Sequence, residues 1–119
     1  MPDASVVVVG GGASGLSAAA ALKRKGIDCV VLERDAQIGG TWARRYDRLH
    51  LHTMRGFSGL AHFGIPSRYP RYLSRDEFVS YLREYADRFA LNIATGSEAD
   101  AIWWDPGNSL WKAATTNGQ

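Results

Sequence analysis

Three glycines, Gly10, Gly12 and Gly15, follow directly on the apolar run Val6-Val7-Val8-Val9 and open into an alanine-rich stretch free of glycine. The spacing G-x-G-x-x-G between a strand and a helix suits one task, the holding of a diphosphate. Gly10 lets the chain turn sharply, Gly12 lets a diphosphate approach the backbone without meeting a Cβ, and Gly15 lets helix and strand pack closely. The first helical amides, at Ala13 and Ser14, lack intrahelical acceptors, and with the positive end of the helix dipole they favour an anion. A dinucleotide site of this kind also needs an acid about 20 residues further on to accept a ribose hydroxyl. Glu33 stands 18 residues after Gly15. A carboxylate there repels a 2′-phosphate, which disfavours NADP in this site.

The elements that must position these residues are legible on either side. Residues 18–22 continue the helix, Lys23, Arg24 and Lys25 end it with cations suited to its negative terminus, and Gly26 sits where a left-handed cap is expected. Residues 28–32 form a second β-rich run holding Cys29, the only cysteine, so no disulfide forms within the chain and a buried, inert thiol is expected. Ser74-Arg75-Asp76-Glu77 spells a capping box. Phe78, Tyr81, Leu82, Tyr85, Ala86 and Phe89 then recur at helical spacing, a stripe expected to pack against the sheet. Residues 91–94 suit a third strand. Residues 99–104 and 110–115 flank Asp105-Pro106-Gly107-Asn108, a hairpin signal, with Trp103, Trp104 and Trp111 available as cross-strand partners. The fold class is therefore α/β: a Rossmann-like unit with a parallel sheet of strand order 3-2-1 and a C-terminal β-hairpin.

Between Glu33 and the capping box lies a second glycine signal, Gly39-Gly40-Thr41-Trp42, and then a segment without sustained period to about Leu73. Connections of that length usually line a ligand site. Arg44, Arg45, Arg48, Arg55, Arg68, Arg71 and Arg75 stand there against one acid, Asp47, so either an anion lies nearby or the arginines are simply solvated. Leu49-His50-Leu51-His52 alternates as a short strand would, placing both histidines on one face. With His62 as the only other histidine, and no accompanying cysteine or carboxylate cluster, no metal site is expected. At 119 residues the chain is one small domain at most, and a net charge of +2 gives no field that argues for nucleic acid. No signal peptide or membrane span is visible, which points to the cytoplasm.

Taken as a set, Val9-Gly10-Gly11-Gly12-Ala13-Ser14-Gly15-Leu16, Val31-Leu32-Glu33-Arg34, Ile38-Gly39-Gly40-Thr41-Trp42, Tyr46-Asp47-Arg48-Leu49 with Leu51-His52, and Tyr69-Pro70-Arg71-Tyr72 resemble the N-terminal part of class B flavin-dependent monooxygenases. Within them the chain is most similar to the bacterial and YUCCA-like branch. The resemblance implies FAD in the first site, with Gly10, Gly12, Ala13, Ser14 and Gly15 at the diphosphate. It places Glu33 and the adjoining Arg34 at the adenosine ribose, and Gly40, Thr41 and Trp42 near the flavin half. His52 matches a histidine of the YUCCA-like branch, where animal relatives carry an asparagine beside the isoalloxazine. The activity implied is NAD(P)H-dependent oxygenation of a small molecule by O2 through a C4a-hydroperoxyflavin. The cofactor carries that chemistry, so no catalytic side chain is expected.

The chain also departs from that pattern. It holds no second G-x-G-x-x-G for NADPH, and the apolar strand that normally follows the hairpin is missing. The expectation is an incomplete FAD-binding domain, residues 1–119, without its NADPH domain and inactive alone. Val6 to Val9 would then be left with one bare edge, an aggregation hazard. Two other classes stay open: an FAD-dependent oxidoreductase of the wider glutathione-reductase-like type, and a non-catalytic nucleotide-binding fragment. The lack of a C-x-x-C pair argues against a disulfide reductase.

Overall fold

The computed structural model describes residues 4–117. Valine's branched Cβ favours the extended chain, and β1 (Val6–Val9) pairs in parallel with β2 (Cys29–Leu32), Val6 opposite Cys29 and Val9 opposite Leu32. The connecting helix α1 (Ala13–Arg24) is buried through Leu16, Ala19 and Ala20 and ends on Lys23 and Arg24. Gly26 adopts the left-handed φ of +72° expected at that exit. Beyond β2, the third parallel strand β3 (Ile93–Ala94) joins at Val31 and Leu32, giving the order β1-β2-β3. This strand is shorter than the 91–94 run expected, because the Leu91 amide donates to the Ala86 carbonyl and closes the preceding helix instead. The hairpin forms as a separate two-stranded sheet of β4 (Ala99–Asp105) and β5 (Leu110–Thr115). Asp105 builds its turn by accepting from the Gly107 amide and the Asn108 side chain. Trp104 faces Trp111 edge-on across it at 5.6 Å, whereas Trp103 pairs with Lys112.

The long middle segment contains two single-turn helices that its composition did not announce, α2 (Gly40–Ala43) and α3 (Arg55–Ser58). After it, α4 (Arg75–Arg88) starts on the anticipated capping box: Ser74 accepts from the Glu77 amide and Glu77 from the Ser74 amide. Its apolar stripe is buried, but not chiefly on the sheet as its spacing suggested. Phe78, Tyr81, Leu82, Tyr85 and Ala86 share one core with Leu16 and Ala20 of α1 and with Ile38, Ile65 and Leu73 of the middle segment. That segment lacks regular structure of its own, so it is anchored by tyrosine hydroxyls reaching from α4. Tyr81 donates to the Phe63 carbonyl and accepts from the Leu60 amide, while Tyr85 donates to the Ala61 carbonyl. Burial pushes both phenols above their ordinary pKa.

Candidate functional site

Five of the residues singled out in the sequence line one cleft of about 330 Å³ at the C-terminal ends of β1 and β2: Gly10, Gly12, Glu33, Arg34 and Thr41. Ser97 and Glu98, from the link between β3 and the hairpin, and Ala99 at the start of β4 complete its wall. Gly10 turns the chain with φ +97°, a conformation L side chains rarely adopt. Gly12 precedes α1 with ordinary extended dihedrals, and a Cβ built there meets no atom within 4 Å. At Gly15 a Cβ would fall 1.9 Å from the Gly10 carbonyl oxygen, so the close helix–strand approach demands glycine. Among the described residues no hydrogen bond engages the amides of Gly12, Ala13 or Ser14, and no side chain caps α1. The mouth of the cleft thus offers unpaired N–H donors, a positive helix end and open space where a diphosphate needs all three.

Glu33 makes two bonds that the sequence did not reveal. One carboxylate oxygen accepts from the Gly11 amide at 2.9 Å and the other from the Asp35 amide at 2.6 Å. The glycine turn is therefore braced from β2 before any ligand arrives. A carboxylate has about four lone-pair sites, so acceptor capacity for ribose hydroxyls remains after these two bonds. The turn's geometry fits an adenine dinucleotide: the bracing uses the Gly11 amide and leaves those of Gly12, Ala13 and Ser14 for the phosphates.

The second glycine signal is placed differently from the first. Gly39 has φ +87° and abuts Val79 of α4, and Gly40 lies so close to Asp35 that a Cβ would come within 2.4 Å of Oδ2. Thr41 reaches the cleft, but Trp42 turns away and packs edge-on against Phe78 at 4.9 Å, with Arg45 over its ring. His52 is exposed in the loop before α3 and does not line the cleft. The expected strand around it is reduced to a single bridge, His50 with Ser74, although Leu49 and Leu51 are half-buried and both histidines exposed.

The arginines of the middle segment do not converge on an anion site. Carboxylates take up three of them: Arg44 pairs with Asp35, Arg68 with Glu84, and Arg75 with Asp47 and the adjacent Asp76. Arg55 donates to the Tyr69 carbonyl and Arg71 lies over Tyr72. Cys29 is half-buried rather than buried, its thiol pushed up in pKa by desolvation and by neighbouring Asp28. Among the described residues no group of three or more His, Cys, Asp or Glu side chains is placed to hold a metal ion, and no helix is long and apolar enough to cross a membrane.

Residues 7–118 match the family described as pyridine nucleotide-disulphide oxidoreductases. The chain belongs to this family. It is 38% identical over 111 residues to the indole-3-pyruvate monooxygenase YUCCA8 of Oryza sativa, a match covering 92% of this chain and 26% of that protein. Among solved structures it superposes on the flavin-containing monooxygenase of Stenotrophomonas maltophilia with a TM-score of 0.92 and 30% identity, over 100% of this chain and 36% of that one. The bacillithiol disulfide reductase of Staphylococcus aureus shares the fold, with a TM-score of 0.85 at 21% identity over 98% of this chain and 35% of that one. The resemblance to class B flavin-dependent monooxygenases read from the motifs is therefore borne out, and this chain spans about a quarter of the length of the curated relatives it matches.

Proposed function

We propose that this chain is the FAD-binding part of an NAD(P)H-dependent flavoprotein monooxygenase of the cytoplasm that oxygenates a small molecule with O2. The observation that carries the reading is the pairing, in one cleft, of a Gly12 with open space before it and a Glu33 that braces the glycine turn. In the bound state the amides of Gly12, Ala13 and Ser14 hold the diphosphate, with Gly10 and Gly15 shaping the turn. Glu33 accepts from the adenosine ribose and Arg34 flanks it, while Gly40 and Thr41 approach the flavin half. Trp42 supports that wall from behind, through Phe78. His52, given to the flavin side by the family resemblance alone, stands exposed outside the cleft.

FAD supplies the redox and oxygen chemistry when bound; the chain binds it, orients it and keeps one face of the site dry. No side chain in the cleft is needed as an acid, base or nucleophile. NADPH, the reductant we assign to the whole protein, has no glycine turn in this chain, and the domain proposed is the FAD domain alone, residues 1–119. Similarity to YUCCA8 and to the Stenotrophomonas enzyme supports a monooxygenase over the wider oxidoreductase class. Titrating the chain with FAD while following flavin fluorescence tests the proposal. ADP should displace FAD and FMN should not, because the glycine turn and Glu33, on the side of the cleft away from Thr41, are the part that takes the adenosine diphosphate half. Failure to bind FAD, or displacement by FMN but not ADP, would overturn it.

A further inference from the structure

Asp35 has no place in the dinucleotide pattern, yet it joins Glu33, the hairpin link and α2, three of the parts that meet at the cleft. Its amide donates to Glu33 Oε2 at 2.6 Å, and its carbonyl accepts from the Gly96 amide at 2.8 Å, one residue before Ser97 enters the cleft wall. Its carboxylate faces the other way. Oδ1 lies 3.1 Å from the Arg44 guanidinium, the residue that caps α2, and Oδ2 sits where a Cβ on Gly40 would be. The backbone of Asp35 is therefore tied to the Glu33 carboxylate and to the hairpin link, leaving the side chain to hold α2. On α2, Thr41 is the residue that reaches the cleft. Gly40 is glycine because any side chain would push this carboxylate away.

We infer that Asp35 is a positioning residue that, through its ion pair with Arg44, sets α2 and Thr41 against the flavin side of the bound dinucleotide; this rests on the FAD reading above. The pair is partly exposed, Arg44 at 56% and Asp35 at 23% of side-chain area, so its effect is modest: about fivefold in Kd, equivalent to ~1 kcal/mol. It falls on one half of the ligand only. ADP, which carries no flavin, does not need α2.

The test compares FAD and ADP affinities, by calorimetry, for the wild-type chain, Asp35→Asn, Arg44→Gln and the double variant. The expected result is an FAD Kd raised about fivefold in each single variant and no further in the double, since both changes remove one interaction. The ADP Kd should stay within about twofold, and the thermal midpoint of the unliganded chain should fall by no more than a few degrees, as for one partly exposed ion pair. Unchanged FAD affinity in the variants would overturn the inference. So would FAD and ADP weakening together, which would mark a general structural role, or additive losses, which would mark two separate contacts. A wild-type chain that binds neither ligand refutes the FAD reading and the inference with it, whereas wild-type binding with unresponsive variants refutes the inference alone.

Discussion

Gly12→Ala and Gly15→Ala, two substitutions three residues apart, should fail in opposite ways. At Gly12 the dihedrals are φ −78° and ψ −172°, open to any residue, and a Cβ meets nothing within 4 Å. Losing a glycine there stabilises the fold by ~0.4–1 kcal/mol through the unfolded chain, offset by alanine's being a poorer helix N-cap than glycine. Net stability should change by less than about 0.5 kcal/mol. The methyl group does, however, occupy the space a diphosphate needs. Displacing the phosphates from even one amide removes a charge-assisted hydrogen bond of ~1.5–3 kcal/mol, or roughly 10- to 150-fold in FAD Kd. Gly15→Ala drives a Cβ to 1.9 Å from the Gly10 oxygen and 3.0 Å from its carbon, against backbone that has no rotamer to yield. It should destabilise the chain by ~1–3 kcal/mol or more. Urea denaturation and FAD titration on the same three proteins separate the two effects. Full FAD occupancy in a folded Gly12→Ala protein, or an undiminished denaturation midpoint in Gly15→Ala, would refute the assignment of roles within the turn.

Three further outcomes follow from the packing. Ser74→Ala removes the oxygen that accepts from Glu77 and should cost about 1 kcal/mol in urea without changing the slope of the transition; no shift would mean that the capping box is ornamental. Because burial raises the pKa of Tyr81 and Tyr85, the folded chain binds more protons than the unfolded one above the ordinary phenol value of about 10. Their contribution is thus full below that pH and lost as pH climbs through the folded values. Tyr81→Phe should cost ~1–3 kcal/mol at neutral pH by orphaning Leu60 N and Phe63 O. It should also flatten the alkaline fall in thermal midpoint, and an unchanged alkaline slope would contradict this. Val7 is 42% exposed on a strand that, among the described residues, pairs only with β2. Val7→Lys should lower concentration-dependent light scattering, as a charge does on a bare edge, and equal scattering would show that association uses another surface.

What could be read from the sequence was what depends on near neighbours along the chain. The glycine turn, the helix it opens, the capping box at Ser74 and the Asp105 turn each complete themselves within a few residues, so residue type and spacing suffice. The arginines show the converse: their partners Asp35 and Glu84 come from other elements, and a local charge count saw cations without seeing what neutralises them. The same applies to the 60–63 loop, pinned by tyrosines some twenty residues later, whose helical spacing announced a core but not their hydroxyls' targets. Glu33 was found from its distance to the glycines, whereas its bond to Gly11 depends on the parallel register of β1 and β2. Trp42 followed from family pattern as a flavin neighbour, and its edge-on seat against Phe78 needed the placement of α4.

The most direct test of the diphosphate site is an amide-resolved NMR titration of the 15N-labelled chain with ADP. The largest shifts should fall on Gly12, Ala13 and Ser14, with Gly11 moving less because Glu33 already holds its N–H. Shifts concentrated elsewhere, or a glycine turn that stays silent at saturating ADP, would contradict the assignment of this turn to an adenine dinucleotide.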